Sequence, residues 1–189
     1  MRAVDGIPYP GERPPAPGSL ALVQAFINTV DFEHGREMLA DSGRLERHLH
    51  RLGLDPGRVG ETALRRAHEV REALRQLALA NNGPPATTAP RRVLERAARA
   101  ARLTVEFTGG EARLVPRAAG IDAALGSLVA IVYDAMHDGT WRRFKACRRD
   151  VCHWTFWDAS RNRSAIWCQM AVCGNRTKTR AYRRRRAST

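Results

Sequence analysis

Leu20, Val23, Ile27 and Val30 recur at three- and four-residue spacing behind Ser19, a stripe that predicts a helix capped by that serine. Asn28-Thr29-Val30 is a poor helix ending, so fraying or a kink is expected there. Asp41 or Ser42 caps a second helix with Leu45, Leu49 and Leu52 on one face and Gly53 as its stop. Asp55-Pro56 is read as opening a longer helix, with proline in the first helical position. Its stripe is Val59, Ala63, Ala67, Val70, Leu74 and Leu77, and Asn81-Asn82-Gly83-Pro84-Pro85 ends it. Thr88 caps a fourth helix, Ala89 to Ala100.

The period then changes. Leu103, Val105 and Phe107 alternate with polar residues, Gly109-Gly110 follows, and Leu114-Val115 closes a second run, which predicts a β-hairpin. Two strands alone are marginal, so the Leu103, Val105 and Phe107 face is expected to lie against helices. A last helix, from about Ala118 to Asp138, carries Ile121, Leu125, Leu128, Val132 and Met136, with Gly139 as its end. Beyond it, Trp141 to Lys145 and His153 to Trp157 alternate bulky and polar side chains, as two short strands would. A final helix is expected from about Gln169 into Arg186.

Charge sharpens this division. The chain has 189 residues and a formal net charge of +13, yet residues 1–140 contribute only +1 and residues 141–189 contribute +12. An excess so confined points to a polyanionic partner, most often nucleic acid. The first 18 residues hold five of the ten prolines and read as a disordered leader, without the apolar core of a signal peptide. No apolar run is long enough to span a membrane, and a cytoplasmic location is expected.

All four cysteines fall in the basic tail, as C-x4-C, a 15-residue gap and C-x4-C: Cys147, Cys152, Cys168 and Cys173. Two matched pairs at that separation point to one tetrahedral Zn2+ held by four thiolates, which is a structural site because no coordination position stays open. A reducing compartment favours metal over disulfides. His153 as an alternative ligand is disfavoured by its adjacency to Cys152. The fold class is therefore α+β. A mainly helical domain with one β-hairpin (19–140) precedes a small zinc-finger module (141–189), treble-clef-like and ending in a basic helix.

The run from Trp141 to Tyr182, with its four cysteines, its aromatics and Cys173-Gly174-Asn175-Arg176, resembles the CGNR zinc-finger family of bacterial proteins. Members are described as stress-induced transcription regulators and carry an alanine-rich, mainly helical N-terminal domain. The resemblance implies a zinc-containing regulator that binds DNA.

The candidate phosphate contacts are Arg142, Arg143, Lys145, Arg148, Arg149, Arg161 and Arg163 from the knuckle and loop. The terminal helix adds Arg176, Lys178, Arg180, Arg183, Arg184, Arg185 and Arg186. Asn175 is placed either to contact adenine or to cap its own helix turn. Trp154, Trp157 and Trp167 are expected to pack as core rather than to stack on bases. Double-stranded DNA is the leading partner; RNA, or an acidic protein met by a thiol-sensing adaptor, are the competing ones. Residues 19–140 show no P-loop, GxSxG, HExxH or dinucleotide fingerprint, so an enzyme is the least supported class. A sensor domain also needs a pocket for a small-molecule effector. Phe26 to Phe32 is the stretch considered for it, although plain core is the better reading there. His34, His48, His50, His68 and His137 are expected at the surface or at helix ends, with His48 and His50 on different sides.

Overall fold

The computed structural model describes residues 13–187. Helices α1 (Leu20–Ile27), α2 (Ser42–Arg51), α3 (Glu61–Ala80), α4 (Thr88–Ala100) and α5 (Gly120–His137) form the body. Two antiparallel ribbons interrupt them, β1 (Val30–Asp31) with β2 (Arg36–Glu37) and β3 (Thr104–Thr108) with β4 (Glu111–Val115). A 3-10 turn, Thr140–Arg143, leads to the third ribbon, β5 (Phe144–Ala146) with β6 (Thr155–Trp157). A single π turn, Met170–Gly174, runs into α6 (Asn175–Ala187). No helix among the described residues is long and apolar enough to cross a membrane.

Local chemistry explains most boundaries. Asp41 caps α2, its carboxylate accepting the Arg44 N–H at 2.8 Å. Ser19 makes no such bond at α1. Pro56 does not open α3. Instead Asp55 accepts the Gly57 N–H at 2.9 Å, and Gly57 turns with φ +57°. The helix starts four residues later, at Glu61 behind Gly60. The loop before it is pinned by Val59, whose N–H donates to Glu46 at 2.6 Å.

The β3–β4 hairpin has the expected register, closing Thr108 against Glu111 around Gly109 and Gly110, both at positive φ. Its expected contact face is wrong. Val105 is 53% exposed and Phe107 81% exposed. The ribbon meets α5 through β4, where Leu114 and Val115 are half-buried, and only Leu103 at its base turns inward.

One core crosses the boundary expected near residue 140. Phe26, Leu74, Leu125 and Leu128 share it with Trp141, Phe144 and Ala146. The N-terminal segment is tied down as well. Residues 13–18, assigned to a disordered leader, hold Ala16 in the core, and Arg13 lies 4.6 Å from the centre of the Phe156 ring. Residues 1–12 lie outside the described ones. Phe26 is fully buried core, and Phe32 packs edge-on to His153 at 5.8 Å. His48 is buried rather than superficial, while His50 on the other side of α2 is exposed.

Candidate metal centre

The ribbon β5–β6 presents the first cysteine pair. The Cys147 N–H donates to the Trp154 carbonyl at 2.9 Å, and the Cys152 N–H donates to Arg149 at 2.9 Å, folding the intervening residues into a knuckle. Each sulfur faces the backbone N–H two residues on, Arg149 for Cys147 and Trp154 for Cys152. The second pair comes from the entry to the C-terminal helix. Cys168 precedes the π turn and Cys173 lies within it, its N–H donating to Gln169 at 3.0 Å. Gly174 is closely approached by side chains. A Cβ there would stand 2.4 Å from Met170 Sδ and 3.1 Å from Trp167 Cδ1.

All four sulfurs are buried and lie within 4.8 Å of one another. Cys168 Sγ is 3.6 Å from both Cys152 Sγ and Cys173 Sγ. Zn–S bonds of about 2.3 Å place tetrahedral sulfurs about 3.8 Å apart, so the cluster fits Zn2+, and it is too open for disulfides of about 2.05 Å. Sulfurs this close compete for protons. Hydrogen bonds from the Cys152 and Cys168 thiols push the Cys147 thiol down, and Cys152 and Cys168 are pushed up in return. A divalent cation is what lets all four ionise together. Trp154 and Trp167 pack around the sulfurs, and His153 stands outside the cluster.

The helical body supports this centre through bonds that no local motif reveals. Asn28 donates to the Thr155 carbonyl at 3.0 Å and accepts the Thr155 N–H and hydroxyl at 2.9 Å each. Gln24 donates to the same carbonyl at 3.1 Å. Arg75, buried on α3, donates to Ile27 O at 2.6 Å and to His153 O at 3.1 Å. Asn81 donates to Trp141 O and Phe144 O at 2.8 and 2.7 Å, and Asn82 donates to Ala146 O at 3.0 Å. Arg13 donates to Cys168 O at 2.6 Å and Trp167 O at 3.0 Å. The polar residues read as helix ends are thus the clamps of the zinc module.

The candidate cations divide into two groups. Lys145 is only 3% exposed, and its ammonium is consumed by Asp158 at 2.8 Å and by the carbonyls of Arg163 and Ala165 at 2.6 and 3.2 Å. It is a buried structural cation, which corrects its assignment as a phosphate contact. Arg143 donates to the carbonyls of Asp158 and Ser160 at 2.9 and 3.0 Å and shapes the following loop. Arg142, Arg148, Arg161, Arg163, Arg176, Lys178, Arg180, Arg183 and Arg186 are exposed, as is Asn175 in the first turn of α6. Arg149 is half-buried between Cys173 Sγ, at 3.9 Å, and Glu33. The side chains of Arg184 and Arg185 lie outside the described ones.

Two family models match separate stretches of the chain. The CGNR zinc-finger model matches residues 143–186, and the ABATE model, described as a putative stress-induced transcription regulator, matches residues 20–138. No curated protein matches the chain. A helical body matched over most of its length, joined to a four-thiol module that ends in Cys173-Gly174-Asn175-Arg176, places this chain in the family of putative stress-induced transcription regulators with a C-terminal CGNR zinc finger.

Proposed function

We propose that this chain is a DNA-binding transcription regulator whose C-terminal module, folded around one structural Zn2+ on Cys147, Cys152, Cys168 and Cys173, meets the phosphate backbone of duplex DNA. The observation that carries this reading is the sorting of charge. Helix α6 is free of acidic residues, and Arg176, Lys178, Arg180 and Arg183 on it are exposed. Arg142, Arg148, Arg161 and Arg163 extend the exposed set onto the knuckle and the loop after β6. Arg184, Arg185 and Arg186 continue the basic run of α6. Stacking on single-stranded bases is less well supported, because Trp154, Trp157 and Trp167 are half-buried against the two cores. With about six phosphate contacts, log affinity for a duplex oligonucleotide falls with log salt at a slope of about −5. A slope near zero sinks the reading, and tighter binding to RNA of the same length redirects it.

The regulatory input is assigned to an apolar cleft of about 610 Å3 between α3, α4 and α5. Its size lies within the usual range for small-molecule sites, roughly 300–1,000 Å3. Leu77, Leu94, Val129, Val132 and Met136 line it, and Trp141 forms one wall. Trp141 stacks on Phe144 at 5.1 Å, and Phe144 opens the strand that ends one residue before Cys147, so an effector there touches the zinc module directly. Ala98 also lines the cleft. Filling it with Ala98→Trp removes binding of an apolar fluorophore, while wild-type protein binds the fluorophore with a change in Trp141 emission. Equal binding by folded Ala98→Trp rejects the cleft.

A further inference from the structure

Glu33 sits at the tip of the β1–β2 turn, in the helical body, yet its carboxylate accepts hydrogen bonds from two arginines of the zinc module. Arg149 approaches it end-on through both terminal nitrogens, Nη1 to Oε2 at 2.8 Å and Nη2 to Oε1 at 2.9 Å. Arg176, the last residue of the Cys-Gly-Asn-Arg motif, donates Nη1 to Oε1 at 2.6 Å. Two guanidinium groups converging on a pair of anionic oxygens is the arrangement by which arginine recognises a phosphodiester. Beside this contact, Arg148, Arg149, Arg176 and Arg180 line a cleft of about 200 Å3 together with Thr177, Val151 and a single acid, Asp150. The Glu33 carboxyl is held below its usual range, first by the hydrogen bond from Arg149.

The turn is built to hold Glu33 there. Phe32, on one side, packs on His153 and lies 5.0 Å from the Arg75 guanidinium. Asp31 accepts the backbone N–H and Nδ1 of His34 at 3.2 and 2.8 Å on the other. All three ionic partners keep contact with solvent, with side-chain exposures of 29% for Glu33, 17% for Arg149 and 57% for Arg176. Water and competing anions therefore reach the pair, and its net stability is modest.

We infer that the arginines of this cleft, Arg149 and Arg176 foremost, form a phosphate-binding site for the nucleic-acid backbone and that Glu33 engages these two as an internal phosphate mimic, competing with DNA. The inference rests on the proposed DNA-binding reading for its ligand, but the site is defined by geometry alone. Swinging Glu33 away frees the guanidinium groups of Arg149 and Arg176 and adds two phosphate contacts. Movement of the β1–β2 turn, which follows directly on α1 of the helical body, would then grade the affinity of the finger.

Glu33→Gln tests this, with Glu111→Gln on the exposed hairpin as the control for one lost negative charge. The expected result is duplex affinity at least tenfold tighter for Glu33→Gln than for Glu111→Gln, with a salt slope steeper by one to two. Zinc content and melting temperature confirm that both variants are folded. Pyrophosphate supplies the second arm: it shifts the side-chain Nε–H resonances of Arg149 and Arg176 in Glu33→Gln at concentrations that leave the wild type unmoved. Equal affinities for the two variants and no pyrophosphate shift in either overturn the inference while leaving DNA binding standing. A pyrophosphate response without duplex binding keeps the site and rejects DNA as its ligand.

Discussion

Asn28 and Thr155, 127 residues apart, form a closed amide pair: the Asn28 Nδ2–H donates to the Thr155 carbonyl at 3.0 Å, and the Thr155 N–H donates back to Asn28 Oδ1 at 2.9 Å. Both residues are buried, and the Thr155 hydroxyl adds a third bond. Asn28 therefore behaves as an extra residue of the β5–β6 ribbon supplied by the end of α1. Asn28→Ala leaves the Thr155 N–H without this acceptor, so stability falls by roughly 2–4 kcal/mol. Asn28→Asp supplies the acceptor but no amide donor and recovers only part of the loss. Urea denaturation checks both values; a loss below about 0.5 kcal/mol would remove the clamp from the account.

Zinc loss should propagate into the helical body, because Trp141, Phe144 and Ala146 belong to the same core as Phe26 and Leu125. Cys173→Ser, or a strong chelator on reduced wild type, is expected to lower zinc from one per chain to none. Helix α6 melts, and the melting temperature of the remaining body drops by several degrees. Metal analysis and circular dichroism follow the two events. A helical body whose melting point ignores the metal would show that the shared core is not cooperative.

Acid should destabilise the fold in two separate windows. Burial, helped by Arg51 and Arg71, lowers the His48 pKa to about 4, and its Nε2 has no hydrogen-bond partner among the described residues. The unfolded chain takes up that proton near pH 6.5, so stability falls as pH drops from about 6.5 to about 4, by an amount on the order of 3 kcal/mol. His48→Met removes this step. Burial of Asp158 works to raise its pKa, but hydrogen bonds from Lys145 and Ser160 overcome it and hold the carboxyl at about 2. That contribution is present above the unfolded value of about 4 and disappears between about pH 4 and pH 2. Chemical denaturation across the range reads both steps, and an unchanged profile for His48→Met rejects the first.

Lys145 and Asp158 also separate structure from recognition. Asp158→Asn leaves the Lys145 ammonium buried with carbonyl oxygens as its other hydrogen-bond partners, and breaking such a pair costs about 3–5 kcal/mol. Arg161→Gln, on an exposed cation, leaves the melting temperature unchanged and makes the salt slope shallower by about one. The opposite pattern would reverse the two assignments.

Gly174→Ala is expected to cost about 1–3 kcal/mol, because Met170 must shift and Trp167 must give by a few tenths of an ångström beside Cys168. Weaker zinc retention against a chelator accompanies the loss. An alanine variant that holds zinc as tightly as wild type would leave the glycine of the motif without a steric role.

Short-range chemistry was readable from the chain alone. The cysteine spacing identified the sulfur cluster, the Gly109-Gly110 pair identified the hairpin turn, and Asp41-Ser42 identified the start of α2, since each depends on residues close in sequence. The uneven charge located the basic module for the same reason. What only the tertiary structure decided is which polar groups are spent within the molecule. Lys145 looked like every other cation of the tail, and its partner Asp158 lies 13 residues away across the β5–β6 ribbon. Asn28, Asn81 and Asn82 looked like helix ends, whereas their amides reach carbonyls 60 or more residues away. Glu33 looked like a surface acid and sits on Arg149 and Arg176. Hydrophobic periodicity reports which face of an element is buried, but it carries no information about which element arrives there. The pairing of buried polar groups across elements is therefore settled only once the chain has packed.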